Sequence, residues 1–146
     1  GFGAACRLIH RLGATPRYEI LDLPTLSVLQ NLYLTAVGLI DPFVDEDVRV
    51  RTISTTVYDA GPEPSNAPEL LIASWSLSET PMQFRQSIGP LLRSAGSLLI
   101  NYQETFDAVD NRRYFEDLTA SGEWQEIYQG QHAHLPGSHF LYMVRS

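Results

Sequence analysis

Two glycines at the start of the chain and an aspartate shortly after them have types and a spacing that could bind a cofactor. The chain opens with GFGAAC, residues 1–6, and Asp22 follows 19 residues after Gly3 at the end of a short apolar run. A glycine turn before a helix lets a ligand approach the backbone closely, and a carboxylate about 20 residues further on can accept hydrogen bonds from ribose hydroxyls. The pattern therefore predicts a site for a nucleoside-containing cofactor at Gly1, Gly3 and Asp22.

Each part of this pattern has an alternative explanation. Cys6 stands where the usual GxGxxG pattern has its third glycine, so an ordinary turn is also compatible with residues 1–6. Asp22 could instead cap a helix that begins within the DLPT segment. We nevertheless expect Asp22, together with the following Leu23, to contact the cofactor. Asp59 follows a third apolar run and could accept from an adenine amino group or occupy a turn. Because no strand precedes the glycines, we expect the natural protein to be longer.

A second set of candidate residues lies at the ends of two strongly apolar runs. Ser74 and Trp75 end the first run, and Asn101 and Tyr102 end the second. Open α/β sheets bind ligands beyond the carboxyl ends of their strands, so these residues are predicted to lie at one ligand edge. Trp75 could cover the cofactor or a sugar, with a core position as the alternative. Asn101 and Tyr102 could hold substrate hydroxyls.

Glu79, His132 and His134 are the candidates for proton transfer and acceptor binding. Glu79 follows a central strand, where a carboxylate could deprotonate a hydroxyl, but an acid in the first turn of a helix capped by Ser78 is an ordinary alternative. His132 is the second candidate base, and His134 is a candidate substrate contact. We expect the larger catalytic role for Glu79. The HxH spacing lacks an evident third ligand, so no metal is predicted.

The segments that would position these residues alternate between apolar and amphipathic patterns, which is typical of strands interleaved with helices. Strands are predicted over 18–21, 48–57, 69–75, 97–102, 124–130 and 139–145. Helices are predicted over 4–12, 25–37, 80–92 and 107–121. The last two strands are joined without a helix, so they should pair antiparallel, with 139–145 beside 97–102.

These elements predict one α/β domain over residues 1–146. The expected fold is a Rossmann-like, mainly parallel sheet with helices on both faces, a C-terminal antiparallel hairpin, and a first strand missing from this chain. The 146 residues are 44% hydrophobic, which is enough for one sizeable core.

Composition argues against several classes of partner. There are 17 acidic residues against 10 basic ones, all of them arginine, which is unfavourable for binding a polyanion. No apolar run reaches the ~18 residues needed to span a membrane. The single Cys6 excludes an internal disulfide and fits a reducing compartment. We therefore expect a cytoplasmic protein that acts on a small molecule, without nucleic-acid or membrane partners.

Both the dinucleotide-dependent oxidoreductases and the methyltransferases that use S-adenosylmethionine place glycines after one strand and an acid after the next. The C-terminal hairpin favours the methyltransferases, because most dinucleotide-binding folds lack it.

Three segments resemble the sugar O-methyltransferases, a branch of the class I S-adenosylmethionine-dependent methyltransferases. They are YEILDLPTLSVLQNLYL, LLIASWSLSETP and the closing GSHFLYMVRS. The resemblance implies O-methyl transfer from S-adenosylmethionine to a hydroxyl of a sugar or another small acceptor. Ser74 and Trp75 would then join the glycines and acids as cofactor contacts. An NAD(P)-dependent oxidoreductase and a non-catalytic cofactor-binding module of a larger enzyme are the alternatives.

Overall fold

A computed structural model of the chain describes residues 3–14, 16–41, 43, 50–54 and 67–146. Its contacts divide the chain into two compact units, Gly1–Asp59 and Ala60–Ser146. Both units combine helices with strands, so the chain is mixed α/β. The single domain expected over residues 1–146 stays a prediction.

The described part of the first unit contains two helices and two strands. They are α1 (Ala4–Arg11), β1 (Tyr18–Asp22), α2 (Pro24–Ala36) and β2 (Val50–Ser54). The two strands are parallel, with Tyr18 opposite Val50 and Asp22 opposite Ser54. Cys6 of α1, Leu34 of α2 and Val50 are almost fully buried together and form the core of this unit. The parallel pairing places the carboxyl ends of β1 and β2 side by side.

The second unit is built on a four-stranded sheet. Its elements are β3 (Leu70–Ser74), α3 (Met82–Ser87), α4 (Gly89–Ser94), β4 (Ser97–Gln103), β5 (Thr105–Phe106), β6 (Val109–Asp110), α5 (Asn111–Ala120), β7 (Trp124–Gln131) and β8 (Ser138–Arg145). The strand order is β3-β4-β8-β7. Strands β3 and β4 are parallel, whereas β8 is antiparallel to both of its neighbours. Alternate residues of β4, Leu98, Ile100 and Tyr102, are completely buried.

The register at the end of the sheet determines what surrounds the ends of β3 and β4. Asn101 of β4 lies opposite Phe140 of β8, and Gln131 of β7 lies opposite His139 of β8. His132 directly follows Gln131, and its backbone N–H donates to the carbonyl of Ser138 at 2.9 Å. The chain therefore returns His132 to the carboxyl end of β4. No helix interrupts the connector, residues 132–137.

The helix predicted over 80–92 is divided into α3 and α4, which meet at Ile88. Pro90 lies in the first turn of α4 and has no N–H to donate to the preceding turn, so the helix has to restart. The sequence pattern predicted one continuous helix over 80–92, and the structure corrects it.

The helix predicted over 107–121 also begins later than expected. Strands β5 and β6 pair antiparallel around a turn in which Asp107 has φ 49°. Helix α5 then starts at Asn111, and the Oδ1 atom of Asp110 accepts a hydrogen bond from the N–H of Arg113 at 2.9 Å. Asp110 is thus a side-chain N-cap, which sets the start of this helix.

None of the helices in the described ranges has the length and apolar character needed to cross a membrane.

Candidate functional site

Gly3 is the glycine of the opening pattern that the structure describes, because Gly1 lies outside the described residues. It precedes α1 with φ 84°, in the left-handed region. A Cβ atom at this position would lie 3.1–3.2 Å from three side-chain atoms of Leu34. Backbone conformation and the packing of α1 on α2 therefore both favour glycine here, before any ligand is considered.

Asp22 ends β1, and its carboxylate is held by two donors. Oδ1 accepts from the backbone N–H of Leu23 at 2.8 Å, and Oδ2 accepts from Nε2 of Gln30 at 2.7 Å. The N-cap of α2 is Leu23, and no side chain caps this helix. Asp22 is therefore oriented by its neighbours without acting as a helix cap.

Ser27 joins the ends of the two strands in the first unit. Its Oγ atom lies 3.2 Å from the carbonyl oxygens of both Asp22 and Ile53. Leu23, the other expected cofactor contact, is 60% exposed at the start of α2. Asp59, predicted near the adenine, lies outside the described residues. Ser27 and Gln30 were not singled out in the sequence, because a polar residue on a helix gives no sign of which distant strand it contacts.

In the second unit, the residues Ser74, Trp75, Asn101 and His132 form a group that we call the Asn101 cluster. Nδ2 of Asn101 donates to Oγ of Ser74 at 3.2 Å, and Oδ1 of Asn101 lies 3.1 Å from Nε2 of His132. The His132 ring stacks on Trp75 with centroids 5.6 Å apart and 27° between the planes. The ring of Phe140 meets His132 edge-on, with centroids 5.2 Å apart. Four residues chosen from the sequence are thus in contact.

Trp75 has a backbone conformation that residues with a Cβ atom rarely adopt. Its φ is 59°, in the left-handed region, at a cost of about 1–3 kcal/mol. Two hydrogen bonds hold it there: its N–H donates to the carbonyl of Asn101 at 2.8 Å, and its carbonyl accepts from the N–H of Glu79 at 2.9 Å. Strain of this kind is concentrated at functional positions, so it supports a role for Trp75 beyond core packing.

A buried arginine anchors the turn that follows Trp75. Arg85 is 1% exposed and donates from Nη2 to the carbonyl of Ser78 at 3.0 Å and to Oδ1 of Asn111 at 2.7 Å. Its Nε donates to the carbonyl of Thr80 at 3.0 Å, and the guanidinium carbon lies 4.7 Å from the centroid of the Tyr114 ring. Burial lowers the pKa of this guanidinium. The cation is held by neutral oxygen acceptors and an aromatic face.

Asn111 and Ser78 extend this network to the end of β4. Nδ2 of Asn111 donates to the carbonyl of Ser78 at 3.1 Å and to that of Gln103 at 2.8 Å. The Ser78 hydroxyl lies 2.9 Å from the carbonyl oxygen of Trp75 and 3.0 Å from Oε1 of Gln103. The turn that carries Trp75 is thereby fixed against the strand that carries Asn101. Sequence reasoning missed the network, because an arginine in an amphipathic helix is normally exposed.

Tyr102 does not belong to the ligand edge, and its predicted role is corrected. It is completely buried, and its hydroxyl accepts from Nε2 of Gln129 at 3.1 Å. Its ring packs against Phe115 and His139, with centroids 4.5 and 5.3 Å away. Burial raises the pKa of the hydroxyl. Because side chains alternate along a strand, Tyr102 faces the core while Asn101 faces the other side of the sheet.

Glu79 and His134 are both exposed. Glu79 lies in the turn before α3, which begins at Met82 after Pro81, so it is not a first-turn acid in a helix capped by Ser78. His134 lies in the connector between β7 and β8. Within the described part of the chain, no hydrogen bond or ion pair draws either side chain into the Asn101 cluster, and their predicted roles stay predictions. The described residues contain no group of three or more His, Cys, Asp or Glu side chains arranged to hold a metal ion.

No protein-family model matches this chain, and no curated protein matches it. The chain resembles the solved structure of LepI in complex with S-adenosylmethionine, with a TM-score of 0.63 and 14% identity over 100% of this chain and 41% of LepI. It also resembles M. capricolum TrmK in complex with S-adenosylhomocysteine, with a TM-score of 0.57 and 10% identity over 96% of this chain and 55% of TrmK. An rRNA methylase from Escherichia coli matches with a TM-score of 0.49 and 13% identity, over 99% of this chain and 64% of that one.

These likenesses show a shared fold. The chain has the fold of proteins whose solved structures hold S-adenosylmethionine or S-adenosylhomocysteine, and it spans about two fifths of the length of LepI and about half that of TrmK. The likeness to the rRNA methylase is too slight to argue from. Nothing in these comparisons supports the expected exclusion of nucleic acid, which stays a prediction.

Proposed function

We propose that this chain is part of an S-adenosylmethionine-dependent O-methyltransferase that acts on a hydroxyl of a sugar or another small-molecule acceptor. The observation that carries the proposal is the fold shared with LepI bound to S-adenosylmethionine and with TrmK bound to S-adenosylhomocysteine. The three segments that resemble sugar O-methyltransferases support the narrower choice of acceptor. We propose a single Rossmann-like domain ending in a β7–β8 hairpin as its framework, and a cytoplasmic location.

The residues of the first unit fit the nucleoside part of this cofactor. Each oxygen of the Asp22 carboxylate accepts one hydrogen bond from the chain, and a carboxylate oxygen can accept a second. Capacity therefore remains for two ribose hydroxyls. Gly3 holds the left-handed conformation that opens α1 without a side chain in the way. Asp22, Gly3 and the exposed Leu23 are the proposed contacts in this unit, with Gly1 and Asp59 as further candidates.

The Asn101 cluster supports the proposal of a neutral, hydroxyl-bearing acceptor. Ser74 and Asn101 offer uncharged hydrogen-bonding groups, and Trp75 offers an aromatic surface, while no arginine belongs to the cluster. Arg112 and Arg113, on the exposed face of α5, are engaged with Glu116 and Asp117. A neutral polyol matches these groups better than a polyanion does. Trp75 and Ser74 are also proposed as cofactor contacts, and His134 as an acceptor contact.

Bound S-adenosylmethionine would supply a methyl group on a sulfonium, which is reactive toward an oxygen nucleophile. The part of this chain is to align the acceptor hydroxyl and to remove its proton. Alignment alone can supply a large share of the rate, and a positioned base adds typically ~10²–10⁴-fold. Glu79 and His132 are the proposed candidates for that base.

Two other functions have to be separated from this one. A nicotinamide-dependent oxidoreductase would use the same glycines and acid, but the pairing of β7 with β8 and of β8 with β4 is against it. A cofactor-binding module without activity would bind S-adenosylmethionine and fail to turn over any acceptor.

The test is a thermal-shift measurement on the chain with S-adenosylhomocysteine or NAD in parallel. A ligand at 100 times its dissociation constant stabilises the folded state by about 2.7 kcal/mol. We expect S-adenosylhomocysteine to raise the melting temperature by several degrees and NAD to leave it unchanged. A shift with NAD alone would contradict the proposal. Turnover in the full-length protein then separates an enzyme from a binding module.

A further inference from the structure

The hydrogen bonds of the Asn101 cluster determine which nitrogen of His132 can accept a proton. An amide nitrogen can only donate, and Nδ2 of Asn101 is directed at Oγ of Ser74, 3.2 Å away. The amide oxygen, Oδ1, is then directed at Nε2 of His132, 3.1 Å away. An amide oxygen can only accept, so Nε2 must carry the hydrogen of the neutral ring. The unprotonated nitrogen is therefore Nδ1.

The ring contacts of His132 keep it in this orientation. Trp75 covers one face at a centroid distance of 5.6 Å, and Phe140 meets the ring edge-on at 5.2 Å. A 180° flip of the imidazole would break the bond to Asn101, and a rotation out of its plane would disturb both aromatic contacts. Among the residues that the structure describes, none makes a hydrogen bond to Nδ1. Within the described ranges, the hydrogen bond to Asn101 at Nε2 is thus the only one that constrains the neutral ring.

From this geometry we infer that Asn101 is a positioning residue, oriented by Ser74, which holds His132 with its hydrogen on Nε2 and leaves Nδ1 as the base. The inference rests on the proposed function for the identity of the reaction. In the proton-transfer step, the O–H bond of the acceptor breaks and an Nδ1–H bond forms, while the electron pair stays on the acceptor oxygen. Asn101 continues to accept from Nε2 in the resulting imidazolium, so the cluster needs no rearrangement.

This assignment favours His132 over Glu79 as the base. The carboxylate of Glu79 is exposed, and no side chain in the described ranges orients it. A base works best when its reacting atom is positioned before the reaction, and the imidazole satisfies this condition through Asn101 and two rings. The expectation from sequence, in which Glu79 had the larger role, is reversed in this inference.

Another histidine of the chain provides an internal contrast. Nδ1 of His10 lies 2.9 Å from the backbone oxygen of Cys6. A carbonyl oxygen can only accept, so the neutral His10 ring carries its hydrogen on Nδ1, the opposite tautomer to His132. His134 is exposed, and the described residues offer it no hydrogen-bond partner, so it serves as a reference.

The experiment is two-dimensional NMR of the chain labelled with ¹⁵N in its histidine rings, without cofactor or acceptor. The His132 signals are assigned by their loss in His132→Gln. We expect His132 as the Nε2–H tautomer, His10 as the Nδ1–H tautomer and His134 as a mixture. On acidification the Nδ1 resonance of His132 should move while the Nε2 resonance stays almost constant, because the added proton goes to Nδ1.

Two substitutions of Asn101 test its role. Asn101→Ala should return His132 to a mixture of tautomers without affecting His134. Asn101→Asp keeps an acceptor oxygen beside Nε2 and should therefore preserve the Nε2–H tautomer. If His132 is instead the Nδ1–H tautomer, or if Asn101→Ala leaves its signals unchanged, the inference is overturned. Circular dichroism checks that the variants are folded.

The outcome of this experiment is independent of ligand binding. Failure of S-adenosylhomocysteine to stabilise the chain would reject the proposed function and leave the tautomer measurement intact. A mixed tautomer at His132 together with cofactor binding would reject the positioning role and leave methyl transfer intact.

Discussion

The carboxylate of Asp22 accepts one hydrogen bond on each oxygen from its own chain, so it is already oriented when a ligand arrives. In the proposed function Asp22 accepts from the ribose hydroxyls, and its replacement by alanine would remove these charge-assisted hydrogen bonds. We expect Asp22→Ala to weaken binding of S-adenosylhomocysteine by ~2–3 kcal/mol, which is on the order of 30–150-fold in dissociation constant. Isothermal titration calorimetry measures the loss.

Glu19→Ala is the matched control, because it removes the same charge from the same strand. Glu19 makes exposed ion pairs with Arg17 at 3.2 Å and Arg51 at 2.8 Å, and such pairs contribute at most about 1 kcal/mol to stability. Its loss should leave cofactor affinity unchanged. A folded Asp22→Ala chain with the affinity of the control would show that Asp22 does not bind the cofactor.

Most of the candidate residues that the sequence predicted share a simple property. Asp22, Ser74, Trp75 and Asn101 lie where a strand ends, and the carboxyl end of a strand can be located from its apolar run. His132 was found as a chemically suitable side chain, although its contact with Asn101 depends on the register of β7, β8 and β4. Register is fixed by pairing across the sheet, which spacing along the chain does not reveal.

At the scale of elements, the start of α1 depends on a glycine for two separable reasons. Gly3 and Gly13 have similar left-handed φ values, 84° and 89°. A Cβ atom on Gly3 would crowd Leu34 at 3.1 Å, whereas one on Gly13 would meet nothing within 4 Å. Both alanine substitutions therefore incur the backbone cost of about 1–2 kcal/mol, and only Gly3→Ala adds the cost of overpacking.

We expect Gly3→Ala to lower the free energy of unfolding by about 1–3 kcal/mol more than Gly13→Ala does. Hydrogen exchange of the α2 amides measures this difference within the first unit. Equal effects would mean that α1 and α2 move apart at no cost, so that packing against Leu34 does not explain the glycine.

The elements differ in how well sequence predicted them. The bounds of α1, β1, α2 and β3 lie within about two residues of the expected ones, because glycine, proline or a polar residue ends each apolar pattern. The division at Ile88 and the β5–β6 hairpin were missed. In both places a local effect prevails over an apolar pattern that also fits a longer helix. At Ile88 it is the missing N–H of Pro90, and before α5 it is the side-chain cap from Asp110.

At the scale of the whole molecule, the sequence indicated a mixed α/β chain, and the structure and its likeness to LepI agree with that class. The interior was harder to foresee, because buried polar contacts join residues far apart in sequence. Arg85 and Asn111 are 1% and 0% exposed, although both residue types are usually found at the surface. Their burial depends on acceptors supplied by Ser78, Thr80 and the end of β4, which no local pattern contains.

Buried phenolic and thiol groups in both units predict how stability changes with pH. Desolvation raises the pKa of Tyr18 and Cys6 in the first unit and of Tyr102 and Tyr114 in the second. The ordinary pKa is 10.0 for tyrosine and 9.0 for cysteine. Well below pH 9 these groups are protonated in the folded and unfolded chain alike. At higher pH the unfolded chain releases their protons first, so the free energy of unfolding should fall steadily as pH rises from about 9.

Urea unfolding at pH 8, 9, 10 and 11 measures this fall, and tyrosinate absorbance should appear together with unfolding rather than before it. Tyr114→Phe is the informative variant, because it removes one titrating hydroxyl and no hydrogen bond described for that side chain. It should make the decline above pH 10 shallower while leaving stability at pH 8 within about 1 kcal/mol of the unsubstituted chain. Arg85 acts in the opposite direction, because burial lowers its pKa and the folded chain loses that proton before the unfolded chain does. Constant stability from pH 8 to 11 would show that these groups reach solvent in the folded state, contrary to the burial of Tyr102 and Cys6.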